Sequence, residues 1–263
     1  MTVLAHDRDD YVVFCEGVRR LADIDLLQYK RGQMERRIRS FGERRGAPTL
    51  DAYLRALQGS REELEAFLDR VTINVSQLWR NPEQWTLLAR EVLPRLAERG
   101  TIRGWSAGSS YGAEAFTLAA IAREAAPSAR LQIDGTDIDR RMIERARKGW
   151  FSADDARTAP PVLLERWFDR DGDGWRAKAD LLRLVRFEQG DLLRDRFPRE
   201  SYDLILCRNT VIYFTDDVRD ALHARLVAAL RPGGWFVIGS TERVAAPREL
   251  GIEPVHPFVY RKS

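Results

Sequence analysis

The feature that most constrains this chain is a change of rhythm near residue 100. Beyond it, short apolar runs with strand character alternate with helical stretches. The strand candidates are residues 102–106, 131–136, 184–187, 202–207 and 235–239. Helices are expected over 113–125, from about Asp139 through Lys148, and from Asp216 to Leu230. Such alternation calls for a parallel sheet covered on both faces, because parallel neighbours need a crossover and the crossover helices pack on the sheet. Before residue 100 no strand pattern occurs. Apolar residues recur at helical spacing from Asp10 to Ala22, and again from Asp23 to Phe41, where Leu27, Met34, Ile38 and Phe41 share one stripe. Thr49 is expected to cap a helix running through Leu57, and Ser60 with Glu63 forms a capping-box pattern for the next. The expected fold class is therefore α/β, a Rossmann-like sheet in residues 81–263 preceded by a small all-helical domain in 1–80.

Composition narrows the function classes. The apolar fraction is 44% and the charged fraction 32%, enough apolar surface to offset chain entropy, so a disordered chain is excluded. No apolar run approaches the roughly 18 residues of a spanning helix. The opening MTVLAHDRDD has no basic or apolar region of a secretory signal, so the cytoplasm is the expected compartment. Two cysteines, Cys15 and Cys207, and three histidines show no metal-ligand spacing, so no metal is expected. Net charge is 43 − 40 = +3, too mild to point to nucleic acid.

In open parallel sheets, ligands bind at the carboxyl ends of the strands. Here those ends carry useful groups in order: Gly108 to Gly112 after the first strand, Asp137 after the second, Asp191 and Leu192 after the third, Arg208 and Asn209 after the fourth. Glycines let backbone approach a ligand, and an acid can accept from ribose hydroxyls. Neither G-x-G-x-x-G nor a Walker A loop is present, which favours an adenosine ligand without a pyrophosphate. The set reads as a site for S-adenosylmethionine (SAM), with S-adenosylhomocysteine (SAH) as the product.

The wording of the chain then becomes specific. TINVSQLWRN, residues 72–81, resembles the TxNxTxFFR entrance motif of chemotaxis receptor glutamate methyltransferases, the CheR family. WSAGSSYGAE (105–114) resembles that family's WSAGCSTGEEPYS loop, GTDID (135–139) its TDID, CRNTVIYF (207–214) its CRNVMIYF, and GSTE (239–242) its GHSE. The resemblance spans nearly the whole chain and implies methyl transfer from SAM to glutamate side chains of chemoreceptor cytoplasmic domains, in sensory adaptation. Carried over by position, it implies cofactor contacts at Asn74, Ser76, Arg80, Gly108, Glu114, Asp137, Asp191, Leu192, Arg208 and Asn209. It places Arg80 and Tyr213 at the substrate carboxylate as catalytic residues. It also implies a small β insert at about 151–183, which looks short here, so little or no docking of a receptor tail peptide is expected. The chain departs from the pattern at Ala113, where the first of two acids is lost, and at Tyr111, Asp191, Leu78, Trp79 and Ser76.

Lys30 to Arg45 holds seven basic residues and two acids. Lys30, Arg31, Arg36, Arg37 and Arg39 are the candidate contacts for acidic receptor helices. The competing reading is a solvated helix face. No aromatics interleave the basic residues as base-stacking platforms, so no nucleic acid is expected. DRDGDG, residues 169–174, imitates the start of a calcium loop but lacks the bidentate Glu, and a hairpin turn explains it better. A monomer is expected, without membrane insertion and open to recruitment to receptor arrays. The alternatives are a SAM- or SAH-binding regulatory module with little turnover, or a methyltransferase for another protein or RNA.

Overall fold

The computed structural model describes residues 9–72 and 76–263. They form two compact units: residues 9–72 with Tyr213–Val218, and residues 76–212 with Arg219–Ser263.

The first unit contains α1 (Asp10–Ala22), α2 (Arg31–Arg44), α3 (Leu50–Gly59) and α4 (Arg61–Val71). Thr49 Oγ1 accepts the Ala52 N–H at 3.1 Å and Ser60 Oγ accepts the Glu63 N–H at 3.2 Å, so both expected caps form. Phe14, Tyr53 and Phe67 meet with ring centroids 5.8 Å apart in each pair, at the centre of the helical core. The expected helix from Asp23 to Phe41 is broken. Asp23 takes a left-handed φ of 57°, and the Asp25 carboxylate caps a short 3-10 turn over Leu26–Gln28 by accepting the Leu27 N–H. Tyr29 then pairs with Phe214 as an isolated antiparallel bridge. Lys30 N–H donates to the Tyr213 carbonyl at 2.8 Å, and Thr215 N–H to the Gln28 carbonyl at 3.0 Å. Helical periodicity through Leu27 thus loses to a long-range backbone pairing, and that pairing is why residues 213–218 belong with the first unit.

In the second unit, α5 (Pro82–Leu87) passes through a π-helical turn at Leu88–Val92 into α6 (Leu93–Ala97). The wide turn closes with Leu93 N–H on the Leu88 carbonyl, just ahead of Pro94, which has no N–H to give. Then follow β1 (Thr101–Ala107), α7 (Ala113–Ala125), β2 (Arg130–Asp137), α8 (Arg140–Lys148), β3 (Trp150–Ser152), α9 (Pro161–Trp167), β4 (Phe168–Asp171), β5 (Gly174–Ala177), α10 (Ala179–Leu182), β6 (Val185–Gln189) and β7 (Tyr202–Cys207). The chain ends with α11 (Asp216–Ala229), which starts in the first unit, then β8 (Leu230–Ile238), β9 (Ile252–His256) and β10 (Val259–Lys262).

Seven strands form one sheet in the order β6-β2-β1-β7-β8-β10-β9. The pairs from β6 to β8 are parallel, and β10 runs antiparallel to both β8 and β9. Every residue of β7 is buried, as a central strand covered on both faces requires. The strand order reverses between β1 and β7, which opens a crevice at their carboxyl ends. β3, β5 and β4 make a separate antiparallel sheet between α8 and β6. Within DRDGDG, Asp171 pairs with Gly174 across a two-residue turn that begins with Gly172 at φ 63°, so the segment is a hairpin. The sequence expectation divided the chain after residue 80. The units divide earlier because residues 76–80 are tied into the α/β unit: Leu78 N–H donates to the Asp155 carbonyl and Trp79 N–H to Thr117 Oγ1. Among the described residues, no helix is long and apolar enough to cross a membrane.

His223 in α11 is fully buried beside Phe236, and neither ring nitrogen has a partner among the described residues. Burial lowers its pKa from 6.5 to about 4. The unfolded chain therefore binds the extra proton first as pH falls. Stability present above pH 6.5 should drop by up to about 3 kcal/mol between about pH 6.5 and 4. Urea unfolding at several pH values should show this slope, and His223→Leu should remove it; an unchanged slope would mean that His223 is not buried neutral.

Candidate active site

The loop after β1 is shaped by backbone conformations that few side chains allow. Gly108 and Gly112 have φ of 80° and 88°, and Ser110 lies at 47°. A Cβ on Gly108 would stand 2.4 Å from Thr210 Oγ1, and one on Gly112 2.8 Å from the Phe187 ring. Asp137, at the end of β2, holds the loop: its carboxylate accepts the Ser110 N–H at 2.7 Å and the Asp139 N–H at 3.0 Å. Burial raises its pKa to about 6, against those two donors. Asp139, not Asp137, caps α8, accepting from Arg141 and Met142.

Arg208 follows β7 and is only 7% exposed. Its Nε donates to Gln84 Oε1 at 2.8 Å and its Nη1 to Glu114 Oε2 at 3.1 Å. Its Nη2 donates to the Arg80 carbonyl at 2.9 Å and to Asn81 Oδ1 at 3.0 Å. Its guanidinium also lies 5.0 Å from the Trp85 ring centroid. Glu114 takes a second bond from Ser106 Oγ at 2.8 Å. Burial raises its pKa, and Arg208 and Arg80 pull it back down.

Arg80 is carried between two left-handed residues, Trp79 at φ 53° and Asn81 at 59°. Such conformations are uncommon for a bulky aromatic and persist where surrounding contacts fix them. Here Trp79 is buried with its N–H on Thr117, and the Arg80 carbonyl accepts from both Arg208 and Trp85 Nε1. Ser76 is in the same segment, its carbonyl accepting from the Tyr111 hydroxyl. Asn74 lies outside the described residues.

Asn209 is also left-handed, at φ 58°, and its N–H donates to Glu242 Oε2 at 3.0 Å. Gly239 N–H donates to the same oxygen at 2.6 Å. Glu242 therefore ties the end of β8 to the end of β7, and burial raises its pKa. The sequence motif had marked this residue without giving it a site role. Gln84, which bridges Arg208 to the Ile238 carbonyl, had no sequence signal at all. Asp191 shapes its own turn, accepting the Leu193 N–H at 2.8 Å, while Leu192 is buried and its carbonyl accepts from Arg225.

In the first unit, α2 is less open than its composition implies. Arg31 bonds Asp9 and Glu35, Arg39 bonds Asp10 and Glu35, and Arg45 bonds Glu63. These pairs lower the pKa of all four carboxylates. Among the described residues, Lys30, Arg36 and Arg37 have no such pair. Arg37 is half-buried with its Nε unpartnered, and burial, then Arg70, lowers its pKa. The Tyr213 carbonyl accepts the Lys30 backbone N–H at 2.8 Å.

A family model described as CheR methyltransferase, SAM binding domain, matches residues 74–255, and one described as CheR methyltransferase, all-alpha domain, matches residues 9–72. The chain belongs to the CheR methyltransferase family. Chemotaxis protein methyltransferase of Listeria innocua is 32% identical over 256 residues, 97% of this chain and 97% of that protein. The protein of that name from Borreliella burgdorferi is 27% identical over 91% of this chain and 89% of its own. That from Salmonella typhimurium is 29% identical over 87% of this chain and 81% of its own.

SAM is the cofactor of the CheR SAM-binding domain, and the residues at these strand ends fit it. Ser109 Oγ and Glu242 Oε1 are buried without a partner among the described residues, so polar capacity is left for a ligand. Glu114, Asp137 and Glu242 offer carboxylates to a cationic one, and the backbone of Gly108 can approach it closely. Replacing Arg208 by Met should cost about 3–5 kcal/mol, because Glu114 would remain buried without its cation. Chemical denaturation should show the double change Arg208→Met with Glu114→Gln recovering a large part of that loss; full additivity would contradict the pairing.

Proposed function

We propose that this CheR family member transfers a methyl group from SAM to glutamate side chains on the cytoplasmic domains of chemoreceptors, forming glutamate methyl esters. The observation that carries this reading is the near full-length likeness to proteins named chemotaxis protein methyltransferase. The chemistry suits the site. A glutamate has a reference pKa of about 4.3 and is already a nucleophile at neutral pH, so no general base is needed. When bound, SAM supplies an activated sulfonium methyl; the carboxylate oxygen takes it, and the C–S electron pair stays on sulfur as SAH is formed. The chain's own work is then positioning and exclusion of water. Glu114, Asp137 and Glu242 act as acceptors and loop anchors rather than bases. Arg80, held by its strained neighbours, presents a planar guanidinium that orients a carboxylate through two N–H donors. Over-tight pairing would blunt the nucleophile, so its role is orientation. Lys30, Arg36 and Arg37 supply positive charge for acidic receptor helices.

The test is transfer of labelled methyl from SAM to cytoplasmic fragments of the host's chemoreceptors. Label released by mild alkali is expected. Arg80→Ala should lower its rate by at least about tenfold, and Tyr213→Phe, as its own arm, should lower it too. Arg36→Ala should weaken transfer more than Arg31→Ala, since Arg31 is already engaged by Asp9 and Glu35. SAH binding without transfer to any receptor would overturn the receptor reading.

A further inference from the structure

The turn after β3 does something that the methyl-transfer reading does not use. Asp155 stands in this turn and gathers contacts from three parts of the second unit. Its Oδ1 accepts the Tyr111 hydroxyl at 2.8 Å. Its Oδ2 accepts Arg145 Nη2 at 2.7 Å and the Ser152 N–H at 2.9 Å. Its backbone carbonyl accepts the Leu78 N–H at 2.9 Å. Two residues of the same turn continue the seam: Thr158 Oγ1 donates to the Leu78 carbonyl at 2.6 Å, and Arg157 Nε to Gln77 Oε1 at 3.2 Å.

Tyr111 is the other half of the couple. It sits in the loop after β1, only 3% exposed, where the family pattern has a threonine. The Arg145 guanidinium lies 3.8 Å from its ring centroid, and the same Arg145 bonds Asp155. The hydroxyl touches the Ser76 carbonyl as well as Asp155. A phenol has one proton to donate, so the two acceptors share it in turn. A threonine is too short to span from this loop to Ser76 and Asp155 together.

We infer that Tyr111 and Asp155 form a positioning couple that fixes the segment from Ser76 to Arg80 against the glycine loop, so that cofactor binding depends on the insert turn. The inference rests on the assignment of Ser76 and Arg80 to cofactor contact. The couple does not touch the reacting atoms. It sets where the Ser76 backbone and, through Leu78 and the left-handed Trp79, Arg80 stand before the cofactor arrives. Preorganisation of that kind appears in affinity, because an unfixed segment must be ordered at the moment of binding.

The test is calorimetric titration of the full chain with SAH, without any receptor, so failure of the receptor reading leaves it intact. Tyr111→Phe and Asp155→Asn should each weaken SAH about 3- to 10-fold, the range for one lost buried hydrogen bond. The double variant should lose clearly less than the product of the two single losses, because both changes weaken the shared Tyr111–Asp155 link. Melting curves run beside the titrations should show all variants folded. Arg80→Ala is the reference: it should weaken SAH as well. SAH affinity within about twofold of wild type in Tyr111→Phe, or fully additive losses in the double variant, would overturn the inference. Wild-type affinity in Arg80→Ala would instead show that the cofactor assignment of this segment is the part that fails.

Discussion

Arg208 is a cation held at the end of a fully buried strand, and its hydrogen bonds reach three other parts of the methyltransferase unit. It meets Glu114 at the start of α7, the Arg80 carbonyl and Asn81 in the entrance segment, and Gln84 in α5. Removing a guanidinium from water is costly, and the cost is offset only when the donors are matched nearly one by one. That requirement fixes geometry. The entrance segment cannot shift without unpairing Arg208, and Glu114 cannot turn away without leaving a buried charge. The strain at Trp79 and Asn81 is held in place by the same set of bonds, so Arg80 is presented from a rigid backbone although its own side chain is long.

The strand ends add a second layer of constraint. Asp137 and Glu242 each spend one carboxylate on two backbone N–H groups from different loops, which joins β2 to the glycine loop and β8 to β7. Buried acids of this kind are poorly solvated, and burial raises the pKa of both. A cation close to such a carboxylate relieves that penalty, as Arg208 does for Glu114.

Much of this was legible in the residues. Caps at Thr49 and Ser60, the strand-helix alternation, the residues at successive strand ends and the hairpin within DRDGDG all depend on local chemistry. What was not legible depends on distant partners. The stripe through Leu27 is helical by spacing, yet residues 28–30 pair with 213–215, and no local pattern reports a partner so far along the chain. The basic count of α2 was right, but Asp9 and Asp10 neutralise Arg31 and Arg39 from another helix terminus. The motif places Arg208 and Asn209 at the ligand. The structure shows how much of Arg208 is spent on protein, and that Asn209 is anchored by Glu242 through its backbone. Tyr111 read as a departure from a pattern, and only its contacts give it a purpose.

We infer that the strand ends and the entrance segment receive the cofactor together. Amide hydrogen exchange with and without SAH tests it most directly. Added protection is expected in residues 76–81, 108–114, 137–139, 208–210 and 239–242, with the hairpin at 168–177 unchanged. Protection confined to the first helical unit, or none in 76–81 when the glycine loop is protected, would contradict it.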